Sequence, residues 1–213
     1  MARVFGFMLS FLAFGLTTPV AAHPHVFVDA RTGFTFDDAG RLAGLRITWT
    51  YDAFTSLTLF DILDLDRDGD GALDDDDRSA IVAGETVWAD DYLGDTYLEM
   101  NGNDVALARP LNGSAWMADD RISVGFDLPL AAPLSLTGEV VLRLYDPFYY
   151  YAYTVAAVED EMPAGCDAKL VPFVADAATE ELQQKLAMLS REETPEEENV
   201  GRLFADEVWL RCG

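Results

Sequence analysis

Hydrophobic side chains, β-branched and aromatic ones above all, dominate the runs from Val26 to Phe36 and from Leu42 to Tyr51, with few polar positions between them. Runs of that composition and length predict β-strands. Asp37-Asp38-Ala39-Gly40 between them supplies turn chemistry, so the pair reads as a β-hairpin. The period then changes: Phe54, Leu57, Phe60 or Ile62, and Leu65 recur at helical spacing. After an Asp-rich stretch a second helix is expected over residues 78–88, extending toward Leu93, with Ile81, Val82 and Val87 offered to the core. A helix-loop-helix is therefore inserted at about residues 54–93.

Beyond it, residues 97–100 and 105–107 flank Asn101-Gly102-Asn103-Asp104, a second hairpin signal, and strands are expected at 114–117, 122–128, 140–145 and 149–155. Residues 175–190 carry helix formers with Leu182, Leu186 and Leu189 in register, and the acidic run at 192–198 ends that helix as a solvated linker. Residues 203–212 close the chain as a strand or short helix. The resulting expectation is one α+β domain over residues 23–213, mainly antiparallel β, with an EF-hand-like insertion and a C-terminal helix.

The inserted loop carries the clearest chemistry. Asp66-Arg67-Asp68-Gly69-Asp70-Gly71-Ala72-Leu73-Asp74-Asp75-Asp76-Asp77 matches the register of a calcium loop, which supplies oxygens from positions one, three, five, seven, nine and twelve and needs Gly at six. Asp66, Asp68 and Asp70 would give side-chain oxygens and Ala72 its carbonyl. Asp74 would act directly or through water, and Asp77 would close the site. Leu73 falls at the apolar eighth position; a register starting at Asp64 loses that anchor and is rejected. Seven Asp against one Arg repel one another unless a cation is bound or some are protonated. Asp77 is one methylene shorter than the usual Glu, which opens the site to Mg2+ as well as Ca2+. A lone loop of this kind implies a structural clamp with a dissociation constant of ~10⁻⁴ to 10⁻³ M.

The ends of the chain set its compartment. Residues 1–22 combine Arg3, an apolar stretch and small residues at Val20 and Ala22, the signature of a cleaved signal peptide. The mature chain would begin at His23 and be soluble and periplasmic, with no membrane insertion after cleavage. Cys166 and Cys212 then read as one disulfide, stabilising by roughly 4 kcal/mol on the chain-entropy model. With 14 basic against 38 acidic residues, the net charge of −24 excludes nucleic acid as a partner and favours cations.

Both histidines of the chain follow the cleavage point, as His23-Pro24-His25. Two imidazoles and a free α-amine suit Zn2+, Ni2+ or Cu2+, and Pro24 removes the amide that a square-planar amino-terminal Cu/Ni site deprotonates. Asp29 shares the strand face of His25 and is a candidate further ligand. No histidine is left for a Ser or Cys triad and there is no Gly-rich phosphate loop, so an enzyme is not expected.

Taken together, Ala22-His23-Pro24-His25-Val26-Phe27-Val28-Asp29-Ala30, Trp49-Thr50-Tyr51-Asp52, the Asp-rich loop, Tyr145-Asp146-Pro147-Phe148-Tyr149-Tyr150 and the segment from Phe204-Ala205 to Cys212 resemble a family of periplasmic proteins of largely undefined function. The likeness spans nearly all of the mature chain. Members are regarded as periplasmic components of uncharacterised transport systems, associated with inner-membrane nickel/cobalt-type permeases and with zinc. The resemblance implies a metal-binding accessory to such a permease, with His23 and His25 as the matching positions; the His-rich stretch that many members carry is missing here. From a different class, the alternative is a calcium-stabilised periplasmic interaction domain that contacts its partner through Phe148, Tyr149, Tyr150, Tyr151 and Tyr153.

Overall fold

The computed structural model describes residues 23–90, 92–159, 161–190 and 193–213. The expected leader at 1–22 and Glu192 of the acidic run lie outside the described residues. The strands are β1 (Val26–Phe36), β2 (Leu42–Tyr51), β3 (Thr96–Met100), β4 (Asn103–Asp104), β5 (Leu111–Ala118), β6 (Arg121–Leu134), β7 (Val140–Leu144), β8 (Tyr151–Val158), β9 (Cys166–Val171) and β10 (Glu207–Cys212). The helices are α1 (Ala53–Ile62), α2 (Asp75–Thr86) and α3 (Ala177–Leu186).

Two five-stranded sheets result, in the orders β5-β6-β2-β1-β8 and β4-β3-β7-β10-β9. Only β1 and β8 run parallel, in the register Val26↔Tyr151; the other neighbours are antiparallel. The chain is thus α+β with mainly antiparallel sheets and a helix near its C-terminus. Alternation decides the faces: Val26, Val28 and Ala30 point inward from β1, while Phe27 is exposed. One buried cluster joins Ile47, Trp49, Val124 and Phe126 of the first sheet to Leu98, Leu142, Leu144, Val208 and Leu210 of the second. A smaller cluster of Tyr149, Leu186, Val200 and Phe204 seats α3.

Helix α2 closes the core over β5 and β6. Its Ile81 is fully buried, and Val82 lies so close to Gly113 that a Cβ there would sit 2.5 Å from it. Val87 differs from expectation: it is exposed because the helix ends at Thr86, and Trp88 takes the inward place against Gly94, stacked on Trp49 at 6.5 Å.

The largest departure from the sequence pattern is α1. Phe54, Leu57 and Ile62 of the expected core stripe are 76%, 69% and 70% exposed, while its Leu65 is buried and Phe60, the alternative to Ile62, packs on the core. The helix is apolar on several sides, and a polar bond fixes its rotation: Ser56 is buried and its Oγ accepts from the Ile122 N–H at 2.9 Å. Leu59, Phe60 and Leu63 follow Ser56 inward. Asp52 caps the helix, accepting from the Phe54 and Thr55 N–H groups, and its other oxygen takes the Phe27 N–H of β1.

Strand β9 was not among the expected strands. It pairs with β10 so that Cys166 faces Cys212, and the two are joined by a disulfide.

Candidate metal centre

The Asp-rich loop is pinned at two apolar points. Leu65 and Leu73 are buried in the core, and the carboxylates between them are left at the surface. Its turns use left-handed backbone at Asp64, Asp66, Gly69 and Gly71, with φ of 52°, 54°, 74° and 80°. Glycine takes that region without strain, and Asp is among the few other residues that tolerate it.

Local hydrogen bonds then aim the side chains. Asp66 accepts from the Gly71 N–H at 3.0 Å, and Asp70 from the Ala72 N–H at 2.8 Å. Ligand oxygens of Asp66, Asp68 and Asp70 all lie within 4.8 Å of one another, the one such set of three among the described residues. Asp74 caps α2, and Asp77 completes a capping box with it. Asp77 is buried, and its two oxygens accept from the Asp66 N–H at 3.2 Å and the Asp74 N–H at 3.1 Å. The carboxylate expected to close a cation site therefore ties the first loop position to the ninth. Asp75 and Asp76 sit in the first turn of α2, where negative charge suits the helix N-terminus. Three hard oxygens converging at the surface suit Ca2+ or Mg2+ over softer ions.

The histidine corner is built differently. The N–H groups of His25 and Val26 both donate to the Tyr150 carbonyl, at 2.9 and 3.2 Å, which fixes the start of β1 against the turn before β8. The rings of His23 and His25 lie 5.1 Å apart, edge to face, and that of His25 lies 4.5 Å from Tyr150. His23 is buried. The structure thus brings the two imidazoles together, but Asp29 is held elsewhere by Arg121 at 2.8 Å, and Arg121 also donates to the carbonyls of Thr50 and Tyr51. The three do not form a set of converging ligand atoms among the described residues.

Three buried acids carry roles that pattern alone did not reveal. Asp146 accepts from the N–H groups of Phe148, Tyr150 and Tyr151, ordering a turn in which Tyr149 has a φ of 56°. Gly201 packs on that turn, where a Cβ would stand 1.9 Å from the Asp146 carbonyl oxygen. Asp206 accepts from Val155 of β8 and from Phe173, at 2.8 and 2.7 Å. Asp95 receives the Tyr153 hydroxyl at 2.8 Å; burial lifts its carboxyl to about 7, against the pull of that hydrogen bond, and the charge of Asp146 adds to the rise. Glu85 of α2 is likewise raised by burial, partly offset by the Tyr51 hydroxyl at 2.5 Å. Asp146-Pro147 at least reads as a turn in the sequence; Glu85 and Asp95 had no comparable signal. Among the aromatics beside them, Tyr149 and Tyr153 are buried and only Phe148 is largely exposed, so this segment packs inward instead of offering a contact face.

Among the described residues no helix is long and apolar enough to cross a membrane. The model of a family described as "Protein of unknown function (DUF1007)" matches residues 8–212. An "Uncharacterized protein" of Haemophilus influenzae is 29% identical over 210 residues, covering 95% of each chain.

Proposed function

The chain belongs to that family of proteins of unknown function, and within it we propose an exported, periplasmic divalent-cation-binding protein that serves as accessory to a metal transport system. In this reading the loop at residues 66–77 holds Ca2+ as an EF-hand-like clamp, and the mature amino terminus with His23 and His25 takes up Zn2+, Ni2+ or Cu2+. The observation that carries it is the convergence of Asp66, Asp68 and Asp70 within 4.8 Å. Association with an inner-membrane permease rests on the resemblance of the Ala-His-Pro-His start and the Tyr145–Tyr150 element. No catalytic role is proposed.

The test is calorimetry on the chain beginning at His23. Ca2+ should bind one to one in the range of ~10⁻⁴ to 10⁻³ M and be lost in Asp66→Asn/Asp68→Asn/Asp70→Asn. In saturating Ca2+, micromolar or tighter Zn2+, Ni2+ or Cu2+ binding should disappear in His23→Ala/His25→Ala. If the variant binds these metals as well as the parent does, the transition-metal role fails.

A second reading is favoured by the Asp29–Arg121 pair, which takes the third candidate ligand away from the histidines. It makes the protein a calcium-stabilised interaction domain with no transition-metal function.

A further inference from the structure

Helix α1 exposes Phe54, Leu57 and Ile62 from one side of a ten-residue helix. A helix that is apolar on its outer as well as its inner side is ordinarily covered, and a cluster of exposed large apolar residues marks an interaction surface more often than isolated ones do. Beside it runs a groove of about 360 Å³, lined by Leu57, Phe60, Met117, Gly71 and Asp120. The groove thus opens between α1, the turn joining β5 to β6, and the Asp-rich loop.

Its surroundings are strongly acidic. Asp61 stands among the exposed apolar residues of α1, and Asp64, Asp66, Asp68 and Asp70 follow it in the chain. Asp119 and Asp120 form the opposite wall's turn. The three arginines of the region are already paired: Arg67 with Asp64, Arg78 with Asp75 and Arg121 with Asp29. An occupant must therefore bring apolar side chains and positive charge together.

We propose that this face of α1 docks a short basic amphipathic segment of another protein, with one bulky apolar side chain in the groove between Leu57 and Met117 and Lys or Arg side chains reaching Asp61 and Asp120. A second copy of this chain suits the face poorly, because each copy carries a net charge of −24 and would bring a further acidic loop. An anionic membrane surface is repelled for the same reason. The proposal rests on the interaction-domain reading and needs no cation in the loop.

The experiment measures fluorescence anisotropy of three labelled synthetic peptides: an amphipathic Leu/Lys helix, its Leu/Glu counterpart, and a Lys/Gln peptide without leucine. Proteins are the parent, Phe54→Ser/Leu57→Ser, which alters exposed apolar groups and no charge, and Asp61→Asn/Asp120→Asn. Urea midpoints establish that each variant is folded.

The Leu/Lys peptide alone should bind the parent. The serine variant should weaken it by at least about tenfold, as loss of anchor residues does, and the asparagine variant should weaken it several-fold and reduce its salt dependence. Equal binding to parent and serine variant would overturn the proposal as general attraction to an acidic surface, and so would the absence of binding. Sedimentation showing a dimer that the serine variant abolishes would assign the face to a second copy. Co-sedimentation with phosphatidylcholine vesicles, lost in the same variant, would assign it to lipid. Each titration is run in Ca2+ and in EDTA: peptide binding in EDTA upholds the surface even where calorimetry finds no Ca2+ site, so the two readings fail separately.

Discussion

In the loop at residues 66–77, three carboxylates converge at the surface with one another as neighbours; in the sandwich interior, Asp95, Asp146 and Asp206 are each buried and each has a donor within 2.8 Å. The functional group is the same and its surroundings are opposite. Buried carboxyls complete hydrogen bonds that the sheets leave open, and removing one strands its donors. Loop carboxylates repel one another and have few protein donors to lose, so a cation is what would make them cohere. The acidity of the chain therefore divides into a structural part and a part open to ligands, and only position in the fold separates them.

The sharpest way to break this distinction is to remove one acid of each kind. Asp206→Ala leaves the Val155 and Phe173 N–H groups without their acceptor, and stranding one buried and one part-buried donor should cost roughly 2 to 4 kcal/mol in urea unfolding. Asp68→Ala, measured in EDTA, should change stability by less than about 0.5 kcal/mol. Similar losses for both would erase the contrast.

Acidity gives the next largest effect. Asp95 has its folded carboxyl raised from 3.8 to about 7, so the native state holds a proton that the unfolded chain releases. This contribution is complete below about pH 3.8 and is lost as pH rises through about 7. Stability should fall by up to about 1.4 kcal/mol per pH unit inside that window. Asp95→Asn, which keeps an acceptor for Tyr153, should flatten the profile in denaturant titrations at fixed Ca2+.

A smaller gain is expected from the ligand. At 10 mM Ca2+, ten to a hundred times the expected dissociation constant, the folded state should gain roughly 1.4 to 2.7 kcal/mol. The triple Asn variant of Asp66, Asp68 and Asp70 should show none of that gain. Smallest of all, His23→Ala/His25→Ala should leave the Ca2+ increment unchanged within about 0.5 kcal/mol, since the corner is fixed at the start of β1 against Tyr150 while the loop is held between α1 and α2, and changes at separate sites add independently.

The ends of β1 and β2 were legible to the residue, because two runs rich in β-branched and aromatic residues and the turn with Asp and Gly between them agree. The convergence of Asp66, Asp68 and Asp70 was legible too, since their spacing is local and the turns need only Asp and Gly, whereas Asp74 and Asp77, expected as ligands, form the capping box of α2. Helix α1 was legible as a helix, and Phe60 and Leu65 of its apolar stripe do face the core, but the stripe also pointed Phe54 and Leu57 inward, while the buried polar bond of Ser56 to Ile122 set the rotation that exposes them. Strand β9 is short, and although Cys166-Asp167-Ala168-Lys169-Leu170 alternates, Asp, Ala and Lys are poor strand formers and weaken the signal. Asp95 and Asp206 owe their roles to partners 58 and 51 residues away, at Tyr153 and Val155, which no window of sequence connects.

The parallel pairing of Val26 with Tyr151 places the first strand of the described chain in the interior of its sheet. On a growing chain, β1 and β2 can zip together early, yet the other edge of β1 stays bare until residues 151–158 exist. That closure spans most of the polypeptide and sets a high contact order, which slows folding. A chain cut short before β8 would present an apolar strand edge ready to pair with its neighbours. Completion of this fold is thus governed by the last third of the sequence, which supplies the partner that the early hairpin still lacks.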